Sequence, residues 1–202
     1  MLYYADTASL SDIEKYNEDE RIAGFTTNPT ILKRAGVTDP RSHALEIFRL
    51  TEKPVSIDGP PALIQRLAPN AIPKVCVPMY TGINREGIVA VNFTAVCSYV
   101  QLDTLSKTDT KETDIISVFA GRIMDTGTPP VDILTKAHSY GKVLWASTRS
   151  LYDIAMAERV GCDYITLTPQ FIEKLDMLGE HLDNVAKRTL KQFYDDNEGL
   201  WE

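Results

Sequence analysis

Lys74 stands inside the largely apolar run Ile72-Pro73-Lys74-Val75-Cys76-Val77, one of several strand-length runs separated by helical patterns. An amine carried into a barrel interior is a candidate imine-forming nucleophile. Desolvation and nearby cations both disfavour the ammonium, so such a group can lose its proton near neutrality and add to a carbonyl. The same lysine at a strand end, with its head in water, needs no chemistry at all. Other polar groups decide between the two readings if they converge on it. Asp6 follows the first apolar run, Thr26-Thr27-Asn28 the second, and Asp58 ends the third. Asn92 and Thr94 follow the fifth, Ser117 and Arg122 flank the sixth, and Ser147 and Arg149 follow the seventh. Taken singly each has a structural use: Asp6 and Asn28 suit turns, Thr94 and Ser147 suit helix N-caps, and surface arginines are common. Their shared place just past successive strands is the functional signal, because the catalytic groups of (β/α)8 barrels gather at the C-terminal ends of the strands.

Eight runs are predicted as strands: Leu2–Ala5, Ile22–Phe25, Pro54–Ile57, Ile72–Val77, Ile88–Val91, Asp114–Phe119, Lys142–Ala146 and Asp163–Leu167. Helical spacing lies between most of them, at Ser9–Asn17, Pro40–Leu50, Pro61–Leu67, Thr94–Leu105, Pro130–Tyr140 and Arg149–Val160. Proline near the start of several suits a first helical turn. The connection Pro78–Gly87 is too short to predict a helix. Strands alternating with helices imply a parallel sheet, and eight of them a closed (β/α)8 TIM barrel, so the α/β chain reads as one domain over residues 1–202. A surplus helical stretch, Glu180–Tyr194, follows the eighth strand within a C-terminal extension over 180–202. It carries Leu182, Val185, Ala186, Leu190, Phe193 and Tyr194 close to one face. That face packs either on its own barrel or on a neighbouring subunit.

The composition narrows the function classes. With 44% apolar and 24% charged residues, the chain has an ordinary globular balance and no stretch long enough to span a bilayer, so no membrane role is expected. A formal charge of -7 without clustered Lys and Arg argues against a nonspecific nucleic-acid binder. Cys76, Cys97 and Cys162 lie inside apolar segments without CxxC spacing, so neither a disulfide framework nor a zinc site is expected. The start, Met-Leu-Tyr-Tyr-Ala-Asp, lacks the basic head and apolar stretch of a signal peptide, and a reducing cytoplasm is the expected compartment. His43, His138 and His181 fall in predicted helices away from the rim and read as structural or solvent-facing.

Across nearly its whole length the chain resembles the transaldolase family, in the compact branch that also holds the fructose-6-phosphate aldolases. The resemblance is carried by Tyr4-Ala5-Asp6-Thr7, Thr26-Thr27-Asn28-Pro29-Thr30-Ile31, Val55-Ser56-Ile57-Asp58 and Lys74-Val75. It continues through Asn92-Phe93-Thr94-Ala95-Val96-Cys97-Ser98-Tyr99-Val100-Gln101, Gly121-Arg122-Ile123-Met124-Asp125 and Ala146-Ser147-Thr148-Arg149. The Thr-Thr-Asn-Pro and Asn-x-Thr…Ser-x-x-Gln blocks are the specific ones, and order and spacing make the match.

The resemblance implies a role for each position. Lys74 matches the Schiff-base lysine, and Asp6 the carboxylate that exchanges a proton with the hydroxyl at the breaking bond. Asp58 and Thr94 match the groups that hold a water for proton transfer during imine formation and hydrolysis. Thr27, Asn28, Asn92 and Ser147, with Ser117 nearby, match polar groups around a bound dihydroxyacetone unit. Arg122 and Arg149 match phosphate-binding arginines. The implied substrates are sugar phosphates, with no cofactor and no metal, since a protonated imine supplies the electron sink. A homo-oligomer, pentamer or decamer, joined through the C-terminal helix is implied as well. Two positions qualify the match. Transaldolases carry glutamate and the aldolases glutamine where this chain has the shorter Asp58. At Phe119 the aldolases carry tyrosine, whose hydroxyl positions a water that protonates the enamine, whereas phenylalanine accompanies transaldolases. The implied activity is therefore transfer of dihydroxyacetone between a ketose phosphate and an aldose phosphate. A lyase releasing dihydroxyacetone, and a barrel that binds sugar phosphates without turnover, remain as alternatives.

Overall fold

The computed structural model describes residues 1–77 and 85–200. Among these, eight parallel strands close in chain order: β1 (Leu2–Asp6), β2 (Ile22–Thr26), β3 (Val55–Asp58), β4 (Ala71–Cys76), β5 (Asn92–Val96), β6 (Ile115–Val118), β7 (Lys142–Trp145) and β8 (Tyr164–Leu167). The helices are α1 (Leu10–Asn17), α2 (Pro29–Arg34), α3 (Pro40–Leu50), α4 (Pro61–Gln65), α5 (Tyr99–Leu105), α6 (Ala120–Met124), α7 (Val131–Ala137), α8 (Tyr152–Arg159), α9 (Pro169–Ile172) and α10 (Leu182–Asn197), with a 3-10 turn over Leu175–Met177. The expected TIM barrel is what forms. None of the described helices is long and apolar enough to cross a membrane.

The two faces of the strands do different work, as a two-residue period requires. Outward residues such as Phe25, Val75, Phe93, Ile116 and Ile165 join the main core between barrel and helices. Inward, Tyr4, Ile115 and Leu144 form a second cluster with Ile72 and Tyr164 against it, filling the lower barrel. One pleat further along the same inward rows come Asp6, Lys74, Ser117, Ala146 and Thr166. The barrel interior is thus apolar below and largely polar above, and the polar layer is the floor of the mouth.

Local chemistry sets the helix starts. Asn28 caps α2 by accepting from Ile31 N–H at 3.0 Å, and Ser98 caps α5 by accepting from Gln101 N–H at 3.4 Å. Asp39 accepts from Arg41 and Ser42 N–H at 3.1 and 3.2 Å, with Pro40 opening α3. At the opposite, N-terminal face of the barrel, Asp114 is fully buried. It accepts two bonds from Arg85 at 2.8 and 2.9 Å and one each from Val91 and Lys111 N–H at 2.8 Å. One carboxylate therefore gathers the approaches to β5 and β6.

The fifth strand lies later than the sequence predicts. Ile88 and Val91 are buried ahead of it, but the ladder runs over Asn92–Val96, so Asn92 and Thr94 are strand residues rather than followers of one. Inward-facing polar side chains break the apolar run that marks a strand, and Ala95, at φ 62°, adds a bulge before Val96. Thr94 accordingly caps no helix, and α5 begins only at Tyr99. Ser147 caps none either, since α8 starts at Tyr152. The predicted connection Pro78–Gly87 lies mostly outside the described residues. Helix α10 has no buried residue, and Leu182, Leu190, Phe193 and Tyr194 are all more than half exposed, so its apolar face is not covered by its own barrel.

Candidate active site

Lys74 sits near the C-terminal end of β4, flanked in register by Asp58 of β3 and Asn92 of β5. Its side chain is only 6% exposed. Pro73, lacking an N–H, precedes it, and the pairing of β4 with β5 begins only at Lys74. The Nζ donates to the Thr27 carbonyl at 2.6 Å, so the loop after β2 fixes the amine through its backbone. The Thr27 hydroxyl is fully buried and turned to the Ser56 carbonyl at 3.5 Å, and it does not reach the cavity.

Two carboxyls attend the amine. Asp58 Oδ2 lies 3.8 Å from Nζ, an ion-pair distance but too long for a hydrogen bond, and it has no hydrogen-bond partner among the described residues. Asp6 accepts from the Thr26 hydroxyl at 2.8 Å, which in turn meets the Thr166 hydroxyl at 3.1 Å. Burial pushes both carboxyls above their usual range, against the pull of Lys74 and, for Asp6, the Thr26 bond. Each is thereby poised to hold or return a proton. Thr94 Oγ1 is buried without a partner among the described residues. Both the Thr94 hydroxyl and the Asp58 oxygen thus keep hydrogen-bonding capacity that a polar ligand can use.

A polar chain stiffens the far wall. Ser117 Oγ donates to Asn92 Oδ1 at 2.7 Å, and Asn92 Nδ2 donates to Ser56 Oγ at 3.1 Å, all of it buried. At the end of β5, Gln101 Nε2 donates to the Val77 and Ala95 carbonyls at 2.7 and 2.8 Å, while its Oε1 accepts from Cys97 N–H at 2.8 Å. The Ser98 and Gln101 of the Asn-x-Thr…Ser-x-x-Gln block are therefore structural, pinning the bulged strand end.

Asp6, Thr26, Asn28, Lys74, Thr94, Ser117, Phe119, Arg122, Leu144, Ala146, Ser147 and Thr166 enclose one cavity at the C-terminal mouth, with about 430 Å³ of space including its opening. The Arg122 guanidinium carbon stacks 5.0 Å from the Phe119 ring centroid. Ser147 holds φ 66°, a left-handed conformation that a residue with a Cβ adopts at a cost. Arg149 stands apart. Its side chain is 47% exposed and forms a two-point pair with Asp125, Nε to Oδ1 at 3.1 Å and Nη2 to Oδ2 at 2.7 Å.

The structure thus brings Lys74, Asp6, Thr94, Asn28, Ser117, Phe119, Arg122 and Ser147 to one cavity wall. Asp58 and Asn92 stand beside Lys74 without lining that cavity, while Thr27 contributes its carbonyl and Arg149 lies outside. Thr26 and Thr166 were not singled out as site residues. The register Asp6↔Thr26 and the inward period of β8 were the signals for them. Among the described residues no cluster of three or more His, Cys, Asp or Glu is arranged as a metal-ligand set.

A buried amine attended by two carboxyls at the mouth of a (β/α)8 barrel makes this a candidate lysine-centred site. A family model described as Transaldolase/Fructose-6-phosphate aldolase matches residues 3–79 and 74–201, and the chain belongs to that family. A probable transaldolase of Mesorhizobium japonicum is 26% identical over 87% of this chain and 88% of its own length. One from Nitrosopumilus maritimus is 27% identical over 87% of each. Among solved structures, a tryptophan synthase α-subunit of Pyrococcus furiosus superposes with a TM-score of 0.57, covering 93% of this chain and 94% of that one at 13% identity, a likeness of fold alone.

Proposed function

We propose that the protein is a transaldolase, moving a dihydroxyacetone unit from a ketose phosphate such as fructose 6-phosphate or sedoheptulose 7-phosphate to an aldose phosphate. The observation that carries this reading is the buried Lys74 amine in a cavity that also presents Asp6, Phe119 and Arg122. In this reading the amine adds to the C2 carbonyl of the ketose, and loss of water leaves a protonated imine. A water between Asp58 and Thr94, the two groups with unfilled hydrogen-bonding capacity, carries the protons of that exchange. Asp6 then takes the proton of the C4 hydroxyl as the C3–C4 bond breaks, and its bonding electrons flow into the imine to give an enamine. The first aldose phosphate leaves, and the enamine attacks the carbonyl of the second while Asp6 returns the proton. Water finally hydrolyses the new imine and frees Lys74.

Phe119 supports transfer over release. Its ring lines the cavity and offers no hydroxyl to orient a water at the enamine. Arg122 presents forked donors at the mouth for the substrate phosphate, and Arg149 joins it on exchanging Asp125 for that phosphate. The uncovered apolar face of α10 supports assembly with further copies of the chain as a ring or paired rings, pentamer or decamer. Three free cysteines fit the proposed reducing cytoplasm.

The test pairs a chemical trap with a coupled assay. Borohydride added during incubation with fructose 6-phosphate should fix a three-carbon adduct on Lys74, located by peptide mass spectrometry. Glyceraldehyde 3-phosphate production should require added erythrose 4-phosphate. Labelling away from Lys74 sinks the imine mechanism, and release of dihydroxyacetone as fast as transfer puts the lyase reading in its place.

A further inference from the structure

Gly121 explains why the Arg149 stem lies against α6. A Cβ there would fall 1.7 Å from the Ser147 carbonyl oxygen and 3.2 Å from Arg149 Cγ, so the missing side chain lets the loop after β7 lie directly on α6. The Arg149 stem consequently crosses Gly121, and its guanidinium reaches Asp125 one turn on. The Arg149 backbone is held separately, its N–H donating to Asp153 Oδ2 at 2.8 Å. Its guanidinium is thus free to change partners without disturbing the loop. The partner it holds is the Asp125 carboxylate, gripped through two parallel bonds in the geometry by which arginine also grips a phosphate.

We propose that Asp125 is a built-in competitor for the substrate's phosphate: its carboxylate occupies the Arg149 fork in the empty enzyme and must be displaced when a phosphorylated sugar binds. The inference rests on the transferase reading only in taking Arg149 as a phosphate ligand. Arg149 and, to a smaller extent, Arg122 hold Asp125 below the usual carboxylate range, so the competitor is ionised at neutral pH. The pair is about half exposed on both sides, which keeps it weak enough to exchange. Its consequence is selectivity. A two-charge phosphate outcompetes the carboxylate for the fork, whereas a singly charged carboxylate ligand gains little over the partner already in place.

The experiment measures binding of inorganic phosphate to the full chain by titration calorimetry, so no turnover is needed. Asn matches Asp125 in size, and the position has ordinary helical backbone at φ -59°, so the change should leave the helix intact. Asp125→Asn should bind phosphate roughly two- to fivefold more tightly, the range an exposed ion pair commands. Asp125→Glu, which restores the charge, should fall back toward the parent. The gain should vanish when Asp125→Asn is made together with Arg149→Ala, because the fork that Asp125 blocks is then absent. Weaker or unchanged binding in Asp125→Asn makes Asp125 a support for Arg149 instead of its competitor and overturns the proposal. An equal gain in the Arg149→Ala background reduces it to a general charge effect and overturns it too. Phosphate binding by none of the proteins also overturns it, while the acceptor-dependence assay judges the transferase reading separately.

Discussion

Replacing Gly121 by alanine tests whether the contact between α6 and the loop after β7 is as close as described. The added Cβ would sit 1.7 Å from the Ser147 carbonyl oxygen, and the obstacle is backbone, which cannot rotate away. The loop must therefore retreat by more than ~1 Å, and overpacking of this kind typically costs about 1–3 kcal/mol. A value at or above the upper end is expected, since Ser147 already holds a left-handed conformation and has little freedom to yield. Gly161 provides the control: its φ is 76° with nothing within 4 Å of its Cβ position, so Gly161→Ala should cost only about 1 kcal/mol of backbone strain. Urea denaturation followed by circular dichroism reads both costs. The retreat also carries Ser147 and Arg149 away from Arg122, and displacements near 1 Å can lower turnover on the order of 100-fold. Raised KM for phosphorylated donors should accompany the lost turnover. If Gly121→Ala is no more destabilising than Gly161→Ala and leaves KM untouched, the packing argument is wrong.

Three further outcomes are expected. Because burial raises the Asp6 and Asp58 carboxyls, the folded chain keeps protons that the unfolded chain has released, so these groups cost stability as pH rises above their unfolded values. Asp6→Asn should therefore flatten the decline of the urea midpoint as pH rises above about 4 while abolishing turnover, and a decline as steep as the parent's counts against the assignment. Phe119→Tyr adds one hydroxyl to the cavity wall and should raise acceptor-independent dihydroxyacetone release by roughly tenfold while lowering transfer. An unchanged ratio removes Phe119 from the transfer argument. Deleting the chain from His181 onward strips off α10 and should convert a large assembly to smaller species in sedimentation velocity, and the same subunit number in both proteins argues against assembly through that helix.

The barrel was legible because its outward residues are apolar at every turn of the sheet, giving runs that announce strands wherever the inward residues are apolar as well. That condition fails at β5, where Asn92 and Thr94 face inward, and there the apolar approach Ile88–Val91 was mistaken for the strand it leads into. Short helices such as α2 and α6 leave too few turns for a periodic signal. Lys74 and Asp6 stand out as candidate site residues because each is a charged interruption of a buried pattern. Thr26 and Thr166 carry no such mark, since threonine is at home in a strand, and Thr94 is picked out only by the block it stands in. Nor does any local pattern tell that Thr27 offers its carbonyl and not its hydroxyl, or that Arg149 pairs with Asp125; both depend on where a loop from another strand comes to lie.

Asp114 draws Arg85, Val91 and Lys111 together at the end of the barrel away from Lys74. The buried charges that gather β5 and β6 and the buried amine of Lys74 are thus kept at opposite poles of the barrel. A lesion at Asp114 or Arg85 should show as scarce protein whose surviving molecules work normally, whereas a lesion at a cavity side chain such as Phe119 should show as abundant protein with altered kinetics.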